Sequence, residues 1–263
     1  MKPRRELTLP RNNTSEDYYL EHIFEAPKNL EMKVWRYMDF AKFISMLSSS
    51  SLYFTRFDRF EDTLEGLLPI KNREAIIGDN DSALYENMFK SITDWQQCHF
   101  FNCWHISEYE TASMWTSYTD KKYGIAIQST YQLLDQEFQN NKNIRIGCVQ
   151  YLDKYNEVIK NRDDQIDSIH LYYPLFTKHI VYSSENELRL MYKKLESADL
   201  MKTGKLFQST IEHGKPIKVN LEKIIEKVVI SPYSDSFFKL IVEDILKKYE
   251  YNFSVIESAI PIR

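Results

Sequence analysis

The apolar positions of this chain change period several times, and each change marks an element. KVWRY (Lys33–Tyr37) reads as a short strand, and in the run DFAKFISMLSSS that follows, Phe40, Phe43, Ile44 and Leu47 fall at helical spacing. SLYFT (Ser51–Thr55) returns to a strand, and FDRFEDTLEG is a charged loop closed by Gly66. Residues 71–95 read as helical with a break at Gly78–Asp81, and the aromatic run CHFFNCW (Cys98–Trp104) as a strand. Further strands are predicted at Lys122–Ser129, Asn143–Tyr151 and Glu187–Lys193, with a helical, charge-rich insert near 153–182. The C-terminal KIIEKVVISP, SDSFFKLIVEDILKKY and FSVIESAI read strand, helix, strand. Residues 1–30 are polar and proline-punctuated, an N-terminal arm. With no repeat, low-complexity tract or linker after it, 31–263 is expected to be a single α+β domain, its central mixed or antiparallel sheet flanked by helices.

The segment CWHISEYETASMWTSY (Cys103–Tyr118) is the densest in aromatic and polar chemistry. Ser107-x-x-Glu110 has capping-box spacing, which starts a helix near Glu108. Met114 and Tyr118, four apart and beside Trp115, form one apolar edge, expected to bury Met114 and part of Trp115. The beginning of the segment, Cys103–His105, is expected to face a pocket.

Composition narrows the chemistry. The chain has 263 residues and only 6 glycines, and neither G-x-G-x-x-G nor a P-loop can be written from them. Eighteen tyrosines and 15 phenylalanines supply either stacking surfaces or a tyrosine-rich core. A net charge of −4 gives no electrostatic footprint for duplex DNA. No apolar run is long enough to cross a bilayer, and MKPRRELTLPRNNTSED lacks the apolar stretch of a secretory signal. Cys98, Cys103 and Cys148 have no metal-type spacing, so reduced thiols, a cytoplasmic location and no structural metal are expected. The motifs C-x-x-C, H-E-x-x-H and G-x-S-x-G are all missing.

Several landmarks follow one another in a familiar order: WRY (Trp35–Tyr37), LYFTRFDRFEDTLEG (Leu52–Gly66), CWH (Cys103–His105), MWTSY (Met114–Tyr118), GIAI (Gly124–Ile127) and ENELR (Glu185–Arg189). Together they resemble the bacterial family called domain of unknown function 2971, whose name brings no agreed activity. More distantly, Arg36 on a first strand, a helix over 40–50, a strand over 52–55 and Glu185-x-Glu187 opening a later strand are similar in order to ADP-ribosyltransferases. The central strand departs from the arginine-type pattern, with Cys103-Trp104-His105 where Ser-Thr-Ser is common. That resemblance implies an ADP-ribosyltransferase-like fold and an enzyme using NAD, with a protein or nucleic-acid acceptor and a role as a toxin or anti-phage effector. It implies Glu187 on the ribose hydroxyl, where a carboxylate stabilises the oxocarbenium-like state, and Glu185 orienting the acceptor. Arg36 would hold the diphosphate or ribose, and Tyr37, Tyr53 or a residue of the 104–118 segment, Trp115 among them, would stack on nicotinamide, with His105 at the catalytic wall.

Other readings of the same residues stand beside this one. Glu185, Glu187 and Arg189 can simply pair with one another at the mouth of a strand. Asp62, Glu65 and His105, with Glu110 near, are the residue types of a metal-dependent nuclease, yet Asp62-x-x-Glu65 can also end a loop and cap a helix. His105 can equally be a core histidine satisfied by a carbonyl. A non-enzymatic module binding a nucleotide or peptide in an aromatic groove is the third alternative.

Overall fold

A computed structural model of the chain describes residues 24, 26–62, 64–77, 96–160, 172–194 and 212–261. Its elements are β1 (Lys33–Asp39), α1 (Phe40–Ser49), β2 (Ser51–Arg56), α2 (Ile70–Ile77), β3 (His99–Ile106), α3 (Ala112–Tyr118), β4 (Gly124–Thr130), α4 (Tyr131–Phe138), β5 (Ile144–Cys148) and β6 (Gln150–Leu152). There follow β7 (Thr177–His179), β8 (Glu187–Lys193), β9 (Gly214–Lys218), α5 (Leu221–Ile224), β10 (Lys227–Ile230), α6 (Ser236–Lys248) and β11 (Val255–Glu257). The fold is α+β, a mixed, mostly antiparallel sheet with helices packed against it. No helix among the described residues is long and apolar enough to cross a membrane.

β3 is the spine of the nine-stranded sheet. One of its edges carries β8 and then β5. Two strands share the other: β1 opposite Ile106 and His105, and β2 opposite Phe101 and Phe100. From β1 the sheet runs on through β4, β10 and β11, and from β2 it runs on to β9. All these pairs are antiparallel except β10 with β11. β6 and β7 form a separate parallel pair.

Directly opposed residues point to the same face of a sheet, so the register sorts the side chains. Val34, Met38, Trp104, Ile127, Leu188, Leu190 and Val228 lie on one face, and the amphipathic helices α1, α4 and α6 bury Phe43, Leu47, Leu134, Phe138, Phe238 and Val242 against them. The opposite face carries two smaller apolar clusters. One gathers Phe57, Phe101, Leu175, Phe176 and Met191. The other gathers Trp35, Tyr37, Met114, Trp115, Ala126 and Val229.

Several expected elements differ. The run Asn143–Tyr151 is two strands: the Val149 amide still donates to the Glu187 carbonyl at 2.9 Å, but the Glu187 amide donates to the Tyr151 hydroxyl at 2.9 Å, and from Gln150 the chain pairs with β7. In the insert near 153–182, the described residues form 3-10 turns at Tyr173–Phe176 and Ile180–Glu185 around β7, with no α-helix. The capping box does not form. Ser107 Oγ accepts from the Tyr109 amide, and α3 begins only after Thr111. Glu110 is drawn away by the C-terminal segment, accepting from Ser258 Oγ and from the Ala259 amide at 3.0 Å. The expected helix over 78–95 and nearly all of the N-terminal arm lie outside the described residues.

Gly66 ends the loop after β2 with φ +74°, and a Cβ there would run into the Phe57 ring and the Gln96 amide. Left-handed backbone and overlap add, so Gly66→Ala is expected to lower unfolding free energy by roughly 2–4 kcal/mol in urea titration.

Candidate functional site

Between the two apolar clusters of this face, the alternation along β8 and β3 becomes charged. Met191 belongs to the first cluster; Arg189 and Glu187 follow at two-residue steps on the same face, opposite Cys103 and His105. Arg189 is fully buried, and its guanidinium divides its donors among three segments. Nε donates to Glu187 Oε2 at 2.7 Å, Nη1 to the Leu175 carbonyl at 2.7 Å, and Nη2 to Glu65 Oε1. Its cation lies 5.5–5.9 Å from the ring centres of Phe57, Phe60 and Phe101.

Lys178, from β7, closes the cluster. Its Nζ stands 2.5 Å from Glu185 Oε2, 3.3 Å from Glu187 Oε1 and 3.8 Å from Glu65 Oε2, over the Tyr182 ring at 4.7 Å. Two cations thus face three carboxylates, Glu65, Glu185 and Glu187. Burial works against ionising Glu187, but Arg189 and Lys178 outweigh it and hold its carboxyl down at about 2. Glu185 is the odd acid. Burial, then the neighbouring Glu187, push it up to about 7 despite Lys178. Burial is outweighed at Lys178 too, whose ammonium is held above its ordinary value by the carboxylates.

The two carboxyls therefore pull stability in opposite directions. Glu185, raised in the folded state, contributes stability that is present below its ordinary value of 4.5 and lost as pH rises through about 7. Glu187, depressed, contributes stability present above 4.5 and lost as pH falls through about 2.

The position of Glu185 is fixed through its backbone. Asn186 adopts the left-handed conformation at φ 40°, which asparagine tolerates, and so turns the chain between the two acids. Its carbonyl accepts from the Ile106 amide and its side-chain amide donates to the Ile106 carbonyl, both at 2.7 Å. His105 Nδ1 lies 2.6 Å from the Glu185 carbonyl, and Nε2 lies 2.8 Å from Thr111 Oγ1. A carbonyl can only accept, so Nδ1 carries the proton and Nε2 accepts from Thr111. Burial lowers the imidazole's proton affinity, in keeping with this neutral form. Beside Glu185 stands Tyr118, a residue 41% exposed. Burial, followed by the charges of Glu185 and Glu187, keeps its phenol protonated. On the far side Lys154 holds the loop bearing Glu65, donating to the Leu64 and Leu67 carbonyls at 2.9 and 3.0 Å, and burial brings it down to about 8.

Of the residues singled out from the sequence, Glu185, Glu187 and His105 come together. Arg36 does not join them. Opposed to Ile127, it shares the face of Val34 and Met38, while Glu187 shares that of His105 and Trp35. Its guanidinium instead meets the Cys103 carbonyl at 2.7 Å, in the fork where β1 and β2 part along β3. Trp115 offers no stacking surface: it is fully buried, donates to Glu110 Oε2 at 3.2 Å and meets Tyr37 edge-on at 5.0 Å. Tyr37 is buried in the same cluster. Tyr53 is 49% exposed, but it lies on β2 against Gly214, and no described contact links it to the carboxylates. The proposed metal set does not assemble either. Asp62 Oδ1 accepts from the Leu64 amide at 2.9 Å, Glu65 is committed to Arg189, and both nitrogens of His105 are occupied. Among the described residues no three His, Cys, Asp or Glu side chains are grouped to hold a metal ion.

Sequence reasoning misses Lys178 and Tyr182, which lie in the stretch expected to be a helical insert, where no strand alternation marks them. Tyr118 falls within the 104–118 segment expected to offer a stacking surface, but nothing in the sequence singles it out there.

Residues 114–190 match the model of a family described as a protein of unknown function, DUF2971. The match includes most of α3 and the Glu185–Glu187 pair, so the resemblance drawn from the landmarks holds over this stretch. No curated protein matches the chain. Among solved structures, the chain is similar to Thermus sp. 2.9 DarT in complex with carba-NAD+, at 8% identity and a TM-score of 0.35, over 89% of this chain and 97% of that one.

The cluster yields a stability test. Arg189→Met leaves Glu65 and Glu187 buried with Lys178 as their remaining cation, and is expected to cost about 3–5 kcal/mol in denaturant unfolding. Adding Glu65→Gln should return part of that loss, which a purely steric effect of methionine would not allow.

Proposed function

We propose that the chain is a transferase of the ADP-ribosyltransferase type, acting at the Glu185–Glu187 pair with NAD as donor substrate. The observation that carries this reading is the pair itself: adjacent carboxyls on either side of a left-handed asparagine, one held ionised and one near neutrality. Pairs whose environments drive their acidities apart are how proteins assign acid and base roles. In the reaction, the bond between ribose C1′ and the nicotinamide nitrogen breaks and its electron pair leaves with nicotinamide. The acceptor's nucleophile bonds to C1′, and its proton passes to ionised Glu185. Glu187 Oε1, whose 3.3 Å contact to Lys178 is longer than the 2.7 Å contact of Oε2 to Arg189, is the oxygen that would accept from a ribose hydroxyl as positive charge develops.

Glu187 is the group that would meet such a donor at its ribose, and Tyr118, a residue 41% exposed, stands beside Glu185. They do not supply the diphosphate clamp expected of Arg36, which faces the other way, and Arg36 has no part in this reading. A macromolecular acceptor, with a toxin or anti-phage role, belongs to the same proposal.

The test is incubation of the pure protein with labelled NAD and cell lysate, following label transfer and free nicotinamide. Glu187→Gln is expected to lower kcat by roughly a hundredfold or more while NAD affinity changes little, because the interaction lost forms in the transition state. Release of nicotinamide by neither protein, with equal growth of hosts expressing either under induction and phage challenge, would overturn the proposal in favour of a binding module.

A further inference from the structure

Thr111 occupies the N-cap position of α3, where a threonine hydroxyl ordinarily accepts a hydrogen bond from the first turn. Here it makes no such bond, although threonine caps in the ordinary way elsewhere in the same chain: Thr130 Oγ1 accepts from the Leu133 amide at 3.2 Å at the start of α4. The Thr111 hydroxyl is turned instead to His105 Nε2, and its amide donates to the Tyr37 hydroxyl at 3.0 Å. A cap worth about 1 kcal/mol is thus set aside for a contact with the imidazole.

We infer that Thr111 is a positioning residue for Glu185, acting through His105. The chain of contacts is continuous. Tyr37 on β1 accepts from the Thr111 amide, the Thr111 hydroxyl donates to His105 Nε2, and His105 Nδ1–H donates to the Glu185 carbonyl. The carbonyl sets the tautomer, Nδ1–H, and the Thr111 hydroxyl, by engaging the other nitrogen, fixes the orientation of the ring. Without the hydroxyl, Nε2 keeps a buried lone pair with no donor and the ring is held at one nitrogen only. His105 therefore holds the backbone of the proton acceptor and does not itself receive a proton from the acceptor substrate. Asn186 holds the next residue to Ile106, so the main chain is gripped on both sides of the turn that aims the carboxyl.

This inference rests on the transferase reading for its kinetic arm, and a spectroscopic arm separates the two. Thr111→Val preserves shape and removes the donor; because the hydroxyl does not cap α3, the loss of stability should be confined to the one hydrogen bond that Nε2 loses, and the protein should stay folded. Imidazole 15N NMR should show His105 with Nδ1 protonated and Nε2 bare in the original protein and its variants alike. Thr111→Val should move the Nε2 resonance, which loses its donor, and the 13C resonance of the Glu185 carbonyl, and Thr111→Ser should restore both. In turnover, Thr111→Val should lower kcat by on the order of ten- to a hundredfold with KM little changed, as misplacement of a reacting group does. An unchanged Glu185 carbonyl resonance in Thr111→Val would overturn the inference, with or without turnover. Should no turnover exist in any variant, the transferase reading fails alone and the NMR result still decides the role of Thr111.

Discussion

The guanidinium of Arg189 is the interaction on which this face of the protein depends. An arginine without solvent contact is tolerable only if every donor is answered, and its partners come from well-separated parts of the chain: Glu65 from the loop after β2, the Leu175 carbonyl from the turn before β7, and Glu187 from its own strand. Removing any of them would leave charge stranded in a low-dielectric interior. The same side chain lies against Phe57, Phe60 and Phe101, so the polar cluster and its neighbouring apolar cluster are packed as one unit.

Satisfying Arg189 and Lys178 takes two carboxylates, and the site holds a third. Glu187 and Glu65 are buried beside both cations, whereas Glu185 lies at the rim and shares only the ammonium of Lys178. Burial first, and then the excess of one acid, raise Glu185 to about 7, where it can pass between its two forms. The structural pairing and the proposed chemistry are therefore not rivals: the ion pairs that fix Glu187 as an anion add to the burial that raises its neighbour.

Much of this was readable in the chain, for definite reasons. β8 was legible to the residue because ELRLMYK alternates, and alternation alone puts Glu187 and Arg189 on one face. The same rule set Arg36 apart from Tyr37, its neighbour on β1, so the two could not line one pocket; the motif-order resemblance had grouped them regardless. Glu65 as the partner of Arg189 was not readable, since 124 residues separate them and only the fold brings them together. Lys178 was hidden because the short parallel pairing of β7 with β6 leaves no periodic trace. The capping box misled for a similar reason: the competitor for Glu110 lies 148 and 149 residues away, at Ser258 and Ala259.

The most direct test of the account is the acidity of Glu185, read by 13C NMR of the side-chain carboxyl groups across about pH 3–9, which brackets both the ordinary carboxylate value and neutrality. The assignment comes from Glu185→Gln. Two cations against three carboxylates require a resonance that titrates near 7, is lost in Glu185→Gln, and is accompanied by a Glu187 resonance that remains ionised throughout. A Glu185 carboxyl titrating in the ordinary range of about 4.3 would contradict it, because the extra charge would then be carried without penalty and the pair would have no division of acid and base roles.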